Sequence, residues 1–213
     1  MPSIENSPHN WNRIWGNTIF YLWGFRTVGN IYRKLVYFSA FDRLLDSNSL
    51  ADKEILELGS GTGDNSLYLA QQHYAGSVTL LDFSEQALAK VHAARYQFPV
   101  IKVQEDLFAF QPQKQYDFVH STGLIEHFEG DRRLAVVRKH AECTRQGGFV
   151  MIWVPVRTPL FSLLTRFNRL LGIEEIPFTE RELKALCIQS DLYIVNESRT
   201  AFGILYGILA RKA

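Results

Sequence analysis

From residue 52 onward, short runs of Ile, Leu, Val and Phe alternate with longer stretches whose apolar positions recur at helical spacing. That order predicts an α/β fold around a mostly parallel sheet. Strands are expected at Ile55–Leu58, Val78–Leu81, Val100–Val103, Asp117–His120 and Phe149–Val154, each ending in a polar or Pro-containing junction. Between them, helices are expected from about Gly63 to His73, from Ser84 to about Tyr96 with Ser84 as N-cap, and from about Asp131 to Cys143, where Gly147-Gly148 stops the helix. Thr179 and Glu182 stand three apart ahead of an apolar face and open a further helix as a capping box. Two late strands are read near Leu192–Val195 and Phe202–Ala210. The run FGILYGILA in the second is apolar on both faces and belongs inside the sheet.

Two amphipathic segments lie outside this alternation. Residues 10–25 place Trp11, Ile14, Trp15, Ile19 and Leu22 on one helical face, which suggests a hood. Residues 159–172 repeat Leu160, Leu163, Leu164, Phe167, Leu170 and Leu171 at the same spacing, with Arg166 and Arg169 off the stripe. The stripe suits a pocket wall, a dimer contact or a membrane surface. One domain is expected: an N-terminal hood (1–50), a ligand-binding core (51–154), a lid-like insertion (155–177) and a closing helix with strands (178–213).

Composition narrows the partners. The 213 residues are 46% hydrophobic and 21% charged, ordinary for a globular chain. A net charge of +1 lacks the basic excess that drives nucleic-acid binding by counterion release, so no nucleic-acid partner is expected. Cys143 and Cys187 lie far apart without CxxC spacing, which suits a reducing, cytoplasmic setting. The N-terminus lacks the pattern of a signal peptide, and no stretch offers about 18 uninterrupted apolar residues.

The candidate chemistry centres on ELGSGTG, residues 57–63, which follows the first apolar run. A strand-to-helix loop of this kind presents unpaired N–H groups to a ligand, on the side of an open sheet where ligands bind. A dinucleotide fingerprint, G-x-G-x-x-G from Gly59 and Gly61, would need a third glycine at position 64, which is Asp64; no Gly-Lys-Ser/Thr of a phosphate loop follows either.

The spacing of Glu57, Gly59, Gly61 and Gly63 resembles the first motif of class I S-adenosylmethionine-dependent methyltransferases. The resemblance runs closely from about residue 52 to 154. It implies a Rossmann-like seven-stranded sheet with helices on both faces and the last strand antiparallel, and S-adenosyl-L-methionine as cofactor. Residue by residue, it implies that Glu57, Gly59, Ser60, Gly61 and Gly63 approach the cofactor's amino-acid part, where a Cβ would obstruct it. Asp82 matches the carboxylate that accepts from both ribose hydroxyls, and Phe83 lies where a ring could cover the adenine face. Asp106, with Leu107 beside it, matches the acidic partner of the adenine amine, and Ser121 falls in the fourth-strand motif YDFVHSTGLIEHF.

Methyl transfer asks the protein to hold reactants at about 3–3.5 Å and exclude water, and a phenolic acceptor would also need a base. His120 and His127 flank the fourth-strand loop and are the candidate catalytic residues. Quinone-precursor O-methyltransferases carry E-x-x-E-H at this place; here the stretch is Gly123-Leu124-Ile125-Glu126-His127, without the first carboxylate, so no metal is expected. The leading expectation is transfer to a small aromatic or lipophilic acceptor by a monomer or homodimer. A nicotinamide-dependent oxidoreductase and a non-catalytic or membrane-peripheral scaffold are the alternatives.

Overall fold

The structure, a computed structural model, describes residues 11–12, 15–16, 37–158, 161, 175–200 and 203–213. Most of the expected hood and most of the 155–177 insertion fall outside the described residues. The described chain begins with helix α1 (Phe38–Leu45) and continues through β1 (Glu54–Leu58), α2 (Asp64–His73), β2 (Ser77–Asp82), α3 (Glu85–Leu88) and β3 (Val100–Gln104). There follow β4 (Tyr116–Thr122), α4 (Asp131–Cys143), β5 (Thr144–Pro155), α5 (Glu180–Ile188), β6 (Leu192–Arg199) and β7 (Leu205–Lys212).

The strands form one seven-stranded sheet in the order β3-β2-β1-β4-β5-β7-β6. β1 pairs in parallel with β2 and β4, β2 with β3, and β4 with β5, whereas β7 runs antiparallel to β5 and β6. β7 therefore lies inside the sheet, as its two-sided apolar run predicts. Alternation along each strand divides the core between the two faces. Leu56, Leu58, Val119 and Ile152 pack with Val136 and Val137 of α4 and Leu183 of α5. Ile55, Phe118 and Trp153 pack with Phe41 and Leu44 of α1 and Leu69 of α2. Trp153 is fully buried, with its ring centroid 5.4 Å from that of Phe41. A Cβ at Gly207, opposite it on β7, would collide with the indole, so close strand packing demands the second glycine of FGILYGILA.

Two local expectations are corrected. The helix opened by Ser84 ends after Leu88, because Lys90 N–H and Val91 N–H turn to carbonyls three residues back and His92 leaves helical geometry. Its N-cap is as expected: Ser84 Oγ accepts from Ala87 N–H at 3.3 Å. Gly147-Gly148 does not stop α4, which ends at Cys143 with β5 starting at once. The register instead steps from Tyr116↔Thr144 to Phe118↔Phe149, so the two glycines sit in a bulge opposite Asp117. Gly147 has φ +70°, and a Cβ on Gly148 would come within 2.9 Å of the Asp117 carbonyl oxygen. Thr179 caps α5 by accepting from Glu182 N–H at 3.2 Å, but the Glu182 side chain leaves the box to pair with Arg133.

Candidate active site

The loop after β1 turns on three residues of positive φ: Gly59 at +65°, Gly61 at +53° and Gly63 at +70°. Only glycine takes that region without strain. It is tied to β2 by Ser60 N–H donating to the Leu81 carbonyl at 2.9 Å, and closes through Gly63 N–H to the Ser60 carbonyl at 2.8 Å. A Cβ would strike Leu124 at 2.6 Å from position 59, Trp15 at 2.9 Å from position 61 and Leu80 at 2.5 Å from position 63. The immediate obstruction is thus the protein itself: the glycines admit the β4 loop, an N-terminal tryptophan and a β2 leucine.

Asp82, at the end of β2, accepts from Gly61 N–H at 2.7 Å through one oxygen and from Ser84 N–H at 2.8 Å through the other. The carboxylate therefore joins the glycine loop to the α3 cap, and each oxygen keeps acceptor capacity for a hydroxyl donor. Burial raises its pKa, and the two backbone N–H bonds oppose that rise. Phe83 beside it is half-buried. Glu57 is almost fully buried below the loop and accepts from Ser66 N–H in the first turn of α2 at 3.4 Å. Burial pushes its carboxyl up to about 8, against the lowering effect of Ser66. Asp106 is exposed and accepts from Phe108 N–H at 2.8 Å, making a turn, while Leu107 is buried in the core.

The two β4 candidates next to each other point to opposite faces. His120 is fully buried; its Nε2 shares a 2.6 Å hydrogen bond with Ser66 Oγ of α2, and burial first, then the nearby His140, lowers its pKa to about 3. Ser121, equally buried, shares a 2.9 Å bond with His140 Nε2 of α4. Both residues link the sheet to a covering helix. The expectation that either histidine reaches an acceptor is narrowed to His127, which is half-buried in the single 3₁₀ turn Ile125–His127 beyond the strand.

Residues from the N-terminus cover both motifs, a placement the sequence does not disclose. The Trp11 ring meets the His127 ring edge-on, with centroids 5.0 Å apart. Ser84 Oγ donates to Asn12 Oδ1 at 2.6 Å, and Lys90 Nζ donates to the Trp15 carbonyl while lying 5.7 Å from the Trp15 ring. Among the described residues of the tryptophan-rich segment, Trp15 lies against Gly61 and Trp11 against His127, contacts that no spacing along the chain announces. Trp11 and Trp15 must be added to the site, with Asn12 and Lys90 as their anchors.

A family model described as a methyltransferase domain matches residues 55–148, which span β1 to the bulge of β5. Over that stretch the chain carries a methyltransferase domain. Over 133 residues it is 29% identical to a probable S-adenosyl-L-methionine-dependent methyltransferase, TehB, of Haemophilus influenzae, covering 62% of this chain and 43% of the relative. The chain thus spans less than half the length of that curated relative. It is similar in fold to the N-methyltransferase NodS of Bradyrhizobium japonicum WM9 in complex with S-adenosyl-L-homocysteine, with a TM-score of 0.69 and 14% identity, covering 98% of this chain and 99% of the other. A second likeness is to the 1,6-didemethyltoxoflavin-N1-methyltransferase of Burkholderia thailandensis, with a TM-score of 0.70 and 18% identity, covering 98% and 92%. S-adenosylmethionine is the family's cofactor, and the donor set fits it: backbone N–H groups at the α2 N-terminus and a carboxylate with free lone pairs at Asp82. At position 64, where a dinucleotide loop would need glycine, Asp64 accepts from Thr62 Oγ1 at 2.8 Å.

Proposed function

We propose that this chain transfers the methyl group of S-adenosylmethionine to a small aromatic or lipophilic acceptor that enters between the glycine loop and His127. The observation that carries the acceptor class is the pair of N-terminal tryptophans, Trp15 against Gly61 and Trp11 against the His127 ring, an apolar aromatic wall with one polar group beside it. The cofactor supplies an electrophilic methyl carbon on a sulfonium sulfur, and an acceptor lone pair takes it as the carbon–sulfur bond breaks. The chain's own residues bind, orient and exclude water. Glu57, Gly59, Ser60, Gly61 and Gly63 form the cradle for the amino-acid part, Asp82 takes the ribose hydroxyls, Phe83 and Leu107 flank the base, and Asp106 accepts from its amine. His127 receives or orients the acceptor's proton, with Trp11 fixing the ring.

Two buried free thiols, Cys143 and Cys187, each pushed up to about 12 by burial, support a reducing cytosolic setting for this reaction. No helix among the described residues is long and apolar enough to cross a membrane. The test is a screen of phenols, amines and thiols with methyl-labelled donor, read by mass spectrometry of the product. Labelled product from an aromatic acceptor is the expected result. Binding of the cofactor with no transfer to any of the three classes would overturn the reading.

A further inference from the structure

In the loop beyond β4 and at the end of the insertion, Glu126, His127 and Glu175 bring one potential ligand atom each to within 4.8 Å of one another. First-row divalent ions hold such donors at about 2.0–2.2 Å, so two ligands of one ion stand at most about 4.4 Å apart, and the three side chains need to close by only a few tenths of an ångström to form a coordination set. Glu126 is 2% exposed, and its Oε2 has no hydrogen-bond partner among the described residues. A buried carboxylate oxygen without a donor is costly unless something else compensates it.

The backbone around the cluster is held from behind. Ile176 N–H donates to the Glu126 carbonyl at 3.0 Å, tying the segment after Glu175 to the 3₁₀ turn. Arg133 is buried and reaches both segments: its Nε donates to the Phe128 carbonyl at 2.7 Å and its Nη2 to the Ile176 carbonyl at 2.6 Å. Its Nη1 is engaged by Glu182, and the guanidinium stacks 3.8 Å from the Phe178 ring centroid. Each nitrogen of the fork has a partner there, so this buried cation is committed to the scaffold.

We propose that Glu126, His127 and Glu175 bind a divalent first-row cation such as Mn²⁺ or Zn²⁺. Two carboxylates and one imidazole match such ions in charge and donor type, and three protein ligands leave further positions open. The sequence pattern argues against a cation because position 123 holds glycine instead of a carboxylate. The fold supplies the third ligand from the far end of the insertion. This inference shares His127 with the transfer reading, but its test reads ion binding alone.

The test is titration of the metal-stripped full chain with Mn²⁺, following loss of the free-ion electron paramagnetic resonance signal, with Zn²⁺ as competitor. One equivalent is expected to bind and to be displaced by Zn²⁺. Glu175→Gln and Glu126→Gln should each weaken binding at least tenfold, whereas Glu129→Gln, an exposed carboxylate nearby, should leave it unchanged. Glu175 is half-buried in a segment outside helix and strand, so circular dichroism on Glu175→Gln keeps the test valid even where Glu126→Gln misfolds. Absence of binding up to millimolar Mn²⁺, or equal binding by Glu175→Gln, overturns the site. Calorimetry with S-adenosylhomocysteine on the same preparation separates the two proposals: homocysteine-cofactor binding without metal binding sinks only this one.

Discussion

At the glycine loop the ties run through the backbone: Gly61 and Ser84 N–H groups meet the two oxygens of Asp82, and Ser60 N–H meets the Leu81 carbonyl. Around His127 they run between side chains and segments far apart in sequence, with Trp11 on the imidazole, Glu175 beside Glu126 and Arg133 bracing Phe128 and Ile176. The first region is a fixed cradle whose shape follows from strand, turn and helix N-terminus. The second takes its shape from how described residues of the N-terminus and of the end of the insertion meet the loop beyond the central strand β4. A shared cofactor with variable acceptors calls for that division, because function lives in sites grafted on folds.

The comparison breaks most visibly at His127. His127→Ala is expected to lower turnover by about 10²-fold or more, the range of a lost general acid–base group, with cofactor affinity unchanged in calorimetry. A matching fall in cofactor affinity would show that the two regions are not separable. Asp82→Ala should do the opposite, weakening cofactor binding by about 1.5–3 kcal/mol per lost charged hydrogen bond while the circular dichroism spectrum is retained. Unaltered affinity in a folded variant refutes the ribose assignment.

A smaller effect is expected from Arg133→Lys. A lysine cannot reproduce a fork that serves two carbonyls and a carboxylate, so stability should fall by about 1–3 kcal/mol in urea denaturation. Turnover should fall with it and cofactor affinity should not, since every bond of Arg133 lies on the His127 side. An equal loss of cofactor affinity would blur the boundary.

The gentlest probe is the pH dependence of stability without cofactor. Glu57, raised from 4.5 to about 8, holds a proton in the folded chain that the unfolded chain has lost, so its contribution falls as pH rises between those values. His120 and His140, lowered from 6.5 to about 3 and about 4, act in the other direction: the unfolded chain gains protons that the folded chain refuses, and stability falls as pH drops below about 6.5. Glu126, likewise raised from 4.5 to about 8 by burial, acts in the same direction as Glu57. The melting temperature should therefore peak between about pH 4.5 and 6.5, and Glu57→Gln should reduce the decline above about pH 6.5 without abolishing it. A decline of unchanged slope in that variant would remove Glu57 as its source.

Local signals were readable because local forces produce them. The bounds Asp131–Cys143 of α4, the caps Ser84 and Thr179, the inward place of β7 and the spacing from Glu57 to Gly63 depend on periodicity, on a hydroxyl within reach of an N–H, or on a backbone turn only glycine makes easily. The bulge at Gly147-Gly148 was misread as a helix stop because a glycine pair has the same local meaning in both settings. Only pairing with β4 distinguishes them.

The sequence by itself determined the order of strands and helices, the loop at the end of β1 and the carboxylate at the end of β2, since each is decided within one turn or one strand. Tertiary structure decided that His120 and Ser121 turn inward to Ser66 and His140, that Trp15 covers Gly61, and that Glu175 stands beside Glu126. Strand alternation sets neighbouring side chains on opposite faces but does not say which helix covers each face, and no spacing along a chain states which distant segments meet. Those meetings are selected by burying apolar surface across the whole sheet, a sum over both faces that no short stretch contains.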